Sequence, residues 1–194
     1  ALFFQIFGLS WNAFIIHSSF FNLLFAISSY FLFLELKFSN KYSLIYSAFI
    51  SVLFYPVVGT PFVDHHSTFF LIISFYCLII AVKFSKYNYF FFIPSILLLS
   101  FLSKQTPAIY GIFSIIFLIL FFCLIEKKSF KKILINSTFG SLICLVALGL
   151  FFLITKINVK NFFQQYLFFA SSIGGDRISN YHFNLLNELD NYKF

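Results

Sequence analysis

Three ionisable side chains, Asp64, His65 and His66, stand in a row within the stretch GTPFVDHHSTFF at residues 59–70. A carboxylate and neutral imidazoles are common ligands of divalent cations, and they also transfer protons in catalysis. Because side chains two positions apart do not face each other on a helix, joint ligation by Asp64 and His66 requires a non-helical backbone at 64–66. The simpler interpretation is that Asp64 caps a helix or lies in its first turn, where the helix dipole stabilises it, and that the histidines are interfacial polar residues.

Two cations and one further histidine are the other candidates for chemistry. Lys104 lies between two apolar segments, and Arg177 follows a Gly-Gly-Asp sequence near the end of the chain. Each could hold an anionic phosphate, whereas the simpler roles are snorkelling of Lys104 to a membrane interface and a surface ion pair between Arg177 and Asp176. His17 is surrounded in sequence by small and hydroxyl residues, so we expect it to pack between helices.

The composition indicates an integral membrane protein. The chain is 61% hydrophobic and 10% charged, whereas soluble domains contain about 25% charged residues. Its mean hydropathy is +0.95, and a water-soluble fold of this length could not bury so much apolar surface. The net charge of +7 does not indicate nucleic-acid binding, because the lysines occur in short clusters between apolar segments, which is typical of membrane topology. We therefore expect membrane lipids as partners and no nucleic acid.

Six apolar segments predict an all-α fold, a polytopic bundle of transmembrane helices. They cover residues 13–34, 43–58, 66–82, 89–103, 107–125 and 133–155. A helix needs about 20 residues to cross the hydrocarbon core, so the second and fourth segments are short. Thr-Pro pairs at 60–61 and 106–107 predict two helix starts, with Thr as the N-cap and Pro as the first helical residue.

The chain divides by composition into a bundle at 1–155 and a tail at 156–194 that mixes polar and aromatic residues. The tail is predicted to be an external loop with an interfacial amphipathic helix near 160–172. The sequence begins with apolar residues other than Met and shows no evident stop at its end, so we expect a fragment of a larger membrane protein.

The lysines are distributed unevenly over the connections between the apolar segments. The connections at 35–41, 83–86 and 126–132 are rich in lysine, whereas 59–67 has none and 104–106 has one. The positive-inside rule places the lysine-rich connections in the cytoplasm. Asp64, Lys104 and the tail are then expected at the external face.

This arrangement of spans, internal lysine loops and an external acid–histidine motif resembles the GT-C class of integral-membrane glycosyltransferases. Mannosyltransferase-like members have a lysine-containing segment between two spans, and residues 101–113 resemble it with FLSKQTPAIYGIF. Their second external loop resembles residues 55–70, YPVVGTPFVDHHSTFF, which are also similar to the Asp-His-His motif of archaeal oligosaccharyltransferase catalytic subunits. The resemblance implies a polyprenyl-phosphate-linked sugar donor and a divalent metal, Mg or Mn, bound by Asp64 and His66.

From this resemblance we expect a multi-pass protein of the bacterial inner (cytoplasmic) membrane that transfers a sugar to a lipid, glycan or protein acceptor at the external face. Asp64 would be the catalytic residue, and Lys104, Arg177 and His65 would bind the donor phosphate. Members of the class also have an essential acidic residue on a first external loop, which would precede Ala1. We therefore expect this chain to contain part of the site and to be inactive alone.

Two other functions are compatible with the sequence. A lipid or polysaccharide transporter or flippase would have charged residues within its spans, facing a central pathway. No segment has an acidic or basic residue at mid-depth, and only His17 comes close. A non-catalytic membrane scaffold would make the external grouping of polar residues incidental.

Overall fold

The structure, a computed structural model, describes residues 2–54, 63–125, 130–169 and 172. Within these ranges the chain is helical and contains no strand, which confirms the expected all-α bundle. The helices are α1 (Leu2–Phe7), α2 (Trp11–Glu35), α3 (Asn40–Phe54), α4 (Val63–Lys83), α5 (Ile93–Ser103), α6 (Gln105–Ile125), α7 (Phe130–Thr155) and α8 (Val159–Phe163). A 3₁₀ turn, Tyr87–Phe91, precedes α5, and a π-helical turn, Gln164–Phe168, follows α8.

The predicted apolar segments coincide with helices α2 to α7. Four of these are long and apolar enough to cross a membrane, namely α2, α4, α6 and α7. The two segments that were short in sequence are also short here, because α3 has 15 residues and α5 has 11. The four long helices expose much apolar surface, and this exposure fits a membrane protein, since lipid tails would cover the surface.

Helix α2 has a side-chain cap at its start, and the start of α6 differs from the sequence prediction. Ser10 caps α2, its Oγ accepting a hydrogen bond from the backbone N–H of Ala13 at 3.2 Å. Helix α6 begins at Gln105, so Thr106 lies in its first turn and is not the N-cap that the Thr-Pro pair predicted. The reason is that Lys104 already has an extended backbone, with φ −158° and ψ 134°, and is the single residue between α5 and α6. The start predicted at Thr60-Pro61 lies outside the described residues.

Small polar side chains allow the helices to approach closely, as expected between helices in lipid. The amide nitrogen of Asn22 in α2 donates to the carbonyl oxygen of Ser51 in α3 at 2.7 Å. The hydroxyls of Ser29 in α2 and Tyr76 in α4 are 3.0 Å apart. Among the described residues, six serines are completely buried: Ser18, Ser29, Ser43, Ser67, Ser74 and Ser100.

Glycine permits the closest approach of α7 to the rest of the bundle. A Cβ atom at Gly140 would overlap the backbone carbonyl of Phe91, in the 3₁₀ turn. The buried apolar core lies beside this contact and is formed by Leu78, Ala81, Phe90, Ile93, Ile115 and Ile133. Phe90 therefore anchors the 3₁₀ turn in the buried core, together with residues of α4, α6 and α7.

The described chain forms two compact units, Ala1–Leu145 and Val146–Phe194. The division falls within α7, ten residues before the composition boundary at residue 155. In the second unit, the predicted amphipathic helix near 160–172 overlaps α8 and the π-helical turn. There the ring of Phe162 packs against those of Phe152 and Tyr166, each with centroids 5.1 Å apart. Its location at a membrane interface stays a prediction.

Within the first unit, alternate connections emerge at opposite ends of the bundle. At one end, Lys86 forms an ion pair with Glu35 at 2.7 Å, and Lys132 lies beside residues 85–89. At the other end, Lys104 contacts Asp64. This is the separation of lysine-rich and lysine-poor connections that the sequence predicted, and we call these two ends the lysine-rich end and the Asp64 end.

Candidate functional site

An ion pair between Asp64 and Lys104 forms the centre of the Asp64 end. The ammonium of Lys104 is 2.6 Å from Oδ1 and 2.7 Å from Oδ2 of the carboxylate, so it contacts both oxygens. The residues are 40 positions apart, Asp64 in the first turn of α4 and Lys104 between α5 and α6. Their side chains are 53% and 37% exposed, so both charges remain within reach of solvent or a ligand.

Two buried serines hold Lys104 in place. The Ser67 hydroxyl donates to the carbonyl oxygen of Lys104 at 3.0 Å, and the Ser100 hydroxyl donates to the carbonyl oxygen of Ser67 at 2.7 Å. The backbone N–H of Lys104 donates to the carbonyl of Ser100 at 3.1 Å. Sequence reasoning missed these serines, although Ser67 directly follows the acid–histidine motif. They fix the backbone of the single-residue turn and so position the ammonium opposite Asp64.

His65 connects the beginning of α4 with the end of α3. Its Nε2 is 2.7 Å from the carbonyl oxygen of Phe54, and the two rings pack with centroids 4.5 Å apart. Because a carbonyl oxygen only accepts hydrogen bonds, Nε2 of His65 is the donor in this contact. Nδ1 is buried and has no hydrogen-bond partner among the described residues. The predicted phosphate contact of His65 stays untested, and the ring in this structure serves a helix contact.

The His66 ring packs against helix α2. Its ring centroid is 4.2 Å from that of Phe21, in an edge-on arrangement, and 5.0 Å from that of His17. His17 also packs against Phe3, with centroids 4.7 Å apart, and its Nδ1 is buried without a hydrogen-bond partner in the described ranges. The interhelical packing expected of His17 is present, and the structure adds that its neighbour is a histidine of the motif.

The arrangement does not fit joint metal ligation by Asp64 and His66. Helix α4 already includes residues 64–66, so the non-helical backbone that joint ligation requires is not found. Two positions on a helix are about 200° apart, and the two side chains accordingly contact different neighbours, Lys104 and helix α2. In the parts of the chain that the structure describes, no group of three or more His, Cys, Asp or Glu side chains is arranged to hold a metal ion. A role for Mg or Mn stays a prediction.

Arg177, the remaining candidate for phosphate binding, lies outside the described residues. Its expected approach to Lys104 is therefore not tested. Residues 55–62, between α3 and α4 in sequence, are likewise outside the described ranges.

The lysine-rich end has a second ion pair, between Lys86 and Glu35. The Lys86 ammonium donates to the Glu35 carboxylate at 2.7 Å, and this hydrogen bond raises the pKa of Lys86 above its ordinary value. Glu35 also lines a cavity of about 450 Å³ between α2 and α4, together with Tyr76 and Cys77. Asp64, His65 and His66 are all at the opposite end of the bundle.

Comparisons of the chain with protein-family models, with curated proteins and with solved structures find no match. Functional inference therefore depends on the arrangement of the side chains at the Asp64 end.

Proposed function

We propose that the chain is part of a membrane glycosyltransferase that uses a polyprenyl-phosphate-linked sugar donor at the Asp64 end of the bundle. The observation that supports this proposal is the contact between Asp64 and Lys104. Glycosyl transfer from a lipid phosphate needs a carboxylate to accept a proton and a cation to stabilise the departing phosphate. Asp64 and Lys104 were identified as candidates independently from the sequence, and they form an ion pair at one end of the bundle.

Lys104 is suited to bind the donor phosphate without leaving Asp64. An ammonium has three N–H donors, so it can contact a carboxylate and a phosphate oxygen at once. Its exposed fraction leaves room for the second contact. As the bond between the anomeric carbon and the phosphate oxygen breaks, the electron pair stays on that oxygen, where the ammonium stabilises the new charge.

Asp64 is suited to accept the proton of the acceptor. The acceptor oxygen or nitrogen forms a bond to the anomeric carbon and loses its proton to the carboxylate, so that atoms and charge balance. His65 and His66 contact α3 and α2, and we assign them to positioning the first turn of α4. No step of this mechanism depends on a metal ion.

The membrane setting of this reaction is also part of the proposal. We place the protein in the bacterial inner membrane, with the lysine-rich end in the cytoplasm and the Asp64 end outside, because lysines mark cytoplasmic connections. A lipid, glycan or protein acceptor would then be glycosylated at the external face.

Donor binding by the purified chain in lipid nanodiscs tests the proposal without requiring turnover. The probe is a polyprenyl phosphate with a photoreactive diazirine, and the readout is the fraction of chain labelled at increasing probe concentration. We expect Lys104→Gln to weaken labelling about 10- to 100-fold, because hydrogen bonds between charged groups contribute about 1.5–3 kcal/mol. Lys41→Gln removes an exposed lysine at the opposite end and is the matched control.

The outcomes separate the proposal from its alternatives. Equal labelling of the wild type and the Lys104→Gln variant would overturn donor binding at this site and favour a scaffold. Equal weakening in the Lys104→Gln and Lys41→Gln variants would show general attraction of the probe to positive charge. Labelling that depends on Lys104, together with movement of the labelled lipid between leaflets and no sugar transfer, would favour a flippase.

A further inference from the structure

A polar cavity of about 440 Å³ lies at the lysine-rich end, between the 3₁₀ turn and the beginning of α7. Its polar lining includes two ammonium groups, two carboxamides and hydroxyls, from Ser85, Lys86, Asn88, Tyr89, Lys132 and Asn136. The residues come from two separate parts of the chain, so the cavity depends on the tertiary packing of α7. It is distinct from the Asp64 end, and the inference below does not depend on the proposed function.

The charge of this cavity is positive. Its lining contains no acidic residue among those the structure describes. Lys86 is already compensated by Glu35, whose carboxylate it contacts at 2.7 Å. Lys132 is exposed and forms no ion pair with any described carboxylate, so it is the lysine of the lining whose charge no described acid balances.

The carboxamides add directed hydrogen-bond donors to this charge. One N–H of Asn136 is used by the carbonyl oxygen of Lys132, at 3.0 Å, which leaves the other N–H of that amide for a ligand. Asn88 is exposed at the rim. An ammonium with neighbouring amide donors suits the oxygens of a phosphate, which need several donors at once.

The location of the cavity indicates which phosphate would occupy it. It lies where the long apolar helices α4 and α7 have their lysine-rich ends, and Tyr89 contributes to its lining. Lysine and tyrosine are typical of the headgroup level of a membrane, and basic pockets between transmembrane helices bind anionic headgroups there. A lipid phosphate reaches this level without leaving the bilayer.

We propose that this cavity binds the phosphodiester headgroup of an anionic membrane phospholipid, with Lys132 as the ionic contact and the amides of Asn88 and Asn136 as hydrogen-bond donors. The acyl chains would remain in the bilayer beside the helices. Binding of such a lipid would link the 3₁₀ turn to the beginning of α7.

Lipid retention measured by native mass spectrometry tests this assignment. The chain is purified in neutral detergent and titrated with phosphatidylglycerol or, separately, with phosphatidylcholine. We expect saturable retention of phosphatidylglycerol and about fivefold weaker binding by Lys132→Gln, since a lysine near an anionic membrane surface contributes about 1 kcal/mol. Lys131→Gln removes the neighbouring charge, which is exposed and outside the cavity lining, and should bind as the wild type does.

Three results would overturn the proposal. One is equal retention of phosphatidylglycerol and phosphatidylcholine by the wild type. Another is equal weakening in the Lys131→Gln and Lys132→Gln variants, which would show attraction to total charge and no defined site. The third is displacement of the lipid by glycerol 3-phosphate at equal concentration, which would identify a soluble phosphate ester as the occupant. Thermal unfolding of both variants without lipid checks that each remains folded.

Discussion

Reversal of the two charges at the Asp64 end should separate the structural value of the ion pair from its role in binding. The variants are Asp64→Lys, Lys104→Asp and the double reversal. In the wild type, the Lys104 ammonium contacts both carboxylate oxygens of Asp64. Each single reversal therefore places two like charges next to each other. The double reversal restores an opposite pair, with the positive charge moved to α4.

The expected energies follow from the exposure of the two side chains. The side chains of Asp64 and Lys104 are 53% and 37% exposed, so the pair resembles a surface ion pair. Such pairs contribute about 0.2–1 kcal/mol to the free energy of unfolding. Taking about 0.5 kcal/mol, each single reversal loses the attraction and gains a similar repulsion, and so costs about 1 kcal/mol. The double reversal restores an attractive pair and should therefore be about 2 kcal/mol more stable than the sum of the single variants predicts. It will not reach wild-type stability, because a cation in the first turn of α4 opposes the helix dipole.

Unfolding free energies in mixed detergent micelles, measured by pulse proteolysis, give this coupling. The control cycle combines Asp64→Lys with Lys83→Asp, at the other end of α4 and about 28 Å away for a helix rise of 1.5 Å per residue. Those two changes should be additive within about 0.5 kcal/mol. Additive behaviour of Asp64 and Lys104 would refute the ion pair. The double reversal has its lysine at position 64 and an acid at position 104. If it regains both stability and binding of the polyprenyl phosphate probe, the assignment of the phosphate contact to position 104 is refuted.

Packing, interhelical hydrogen bonding and topology each provide a further test. Gly140→Ala should destabilise the chain by about 1–3 kcal/mol, because its Cβ meets backbone, whereas Gly149→Ala, with no atom within 4 Å, should be neutral or stabilising in thermal unfolding. Asn22→Ala should lower the free energy of unfolding by about 0.6 kcal/mol through loss of its bond to α3, and no change would contradict that bond. In a cysteine-free background, Thr106→Cys should react with an impermeant maleimide in intact cells, and Asn40→Cys only in inverted vesicles; the reverse pattern would invert the proposed topology.

The fold was largely predictable because long apolar segments of membrane proteins form helices. In lipid, no water is present to bond backbone N–H and C=O groups. A long apolar segment therefore forms a helix, in which these groups bond one another. The helix start at Gln105 was predicted two residues late, because the Thr-Pro signal describes a local preference and not the tight turn that Ser67 and Ser100 stabilise at Lys104. The 3₁₀ turn before α5 had no sequence signal, since it results from packing against Gly140.

The site was predictable as a set of residues but not as a set of contacts. Charge asymmetry placed Asp64 and Lys104 at the same end, yet no local pattern relates residues 40 positions apart, so their ion pair was not foreseen. The pairing of His66 with His17 was missed for the same reason. The non-helical backbone at residues 64–66 that joint ligation requires is not found, because α4 is Val63–Lys83 and includes these residues.

Stability does not account for the polar groups at the Asp64 end. Their half-exposed ion pair contributes little, about 1 kcal/mol at most. His17 and His65 each have a buried ring nitrogen without a hydrogen-bond partner among the described residues, and such a group costs about 1–3 kcal/mol. Apolar side chains would satisfy the same helix contacts without that cost. At the lysine-rich end, the positive-inside rule predicts exposed lysines. Residues that lower stability are expected where a protein performs chemistry, so the two histidines at the Asp64 end fit the proposed site there.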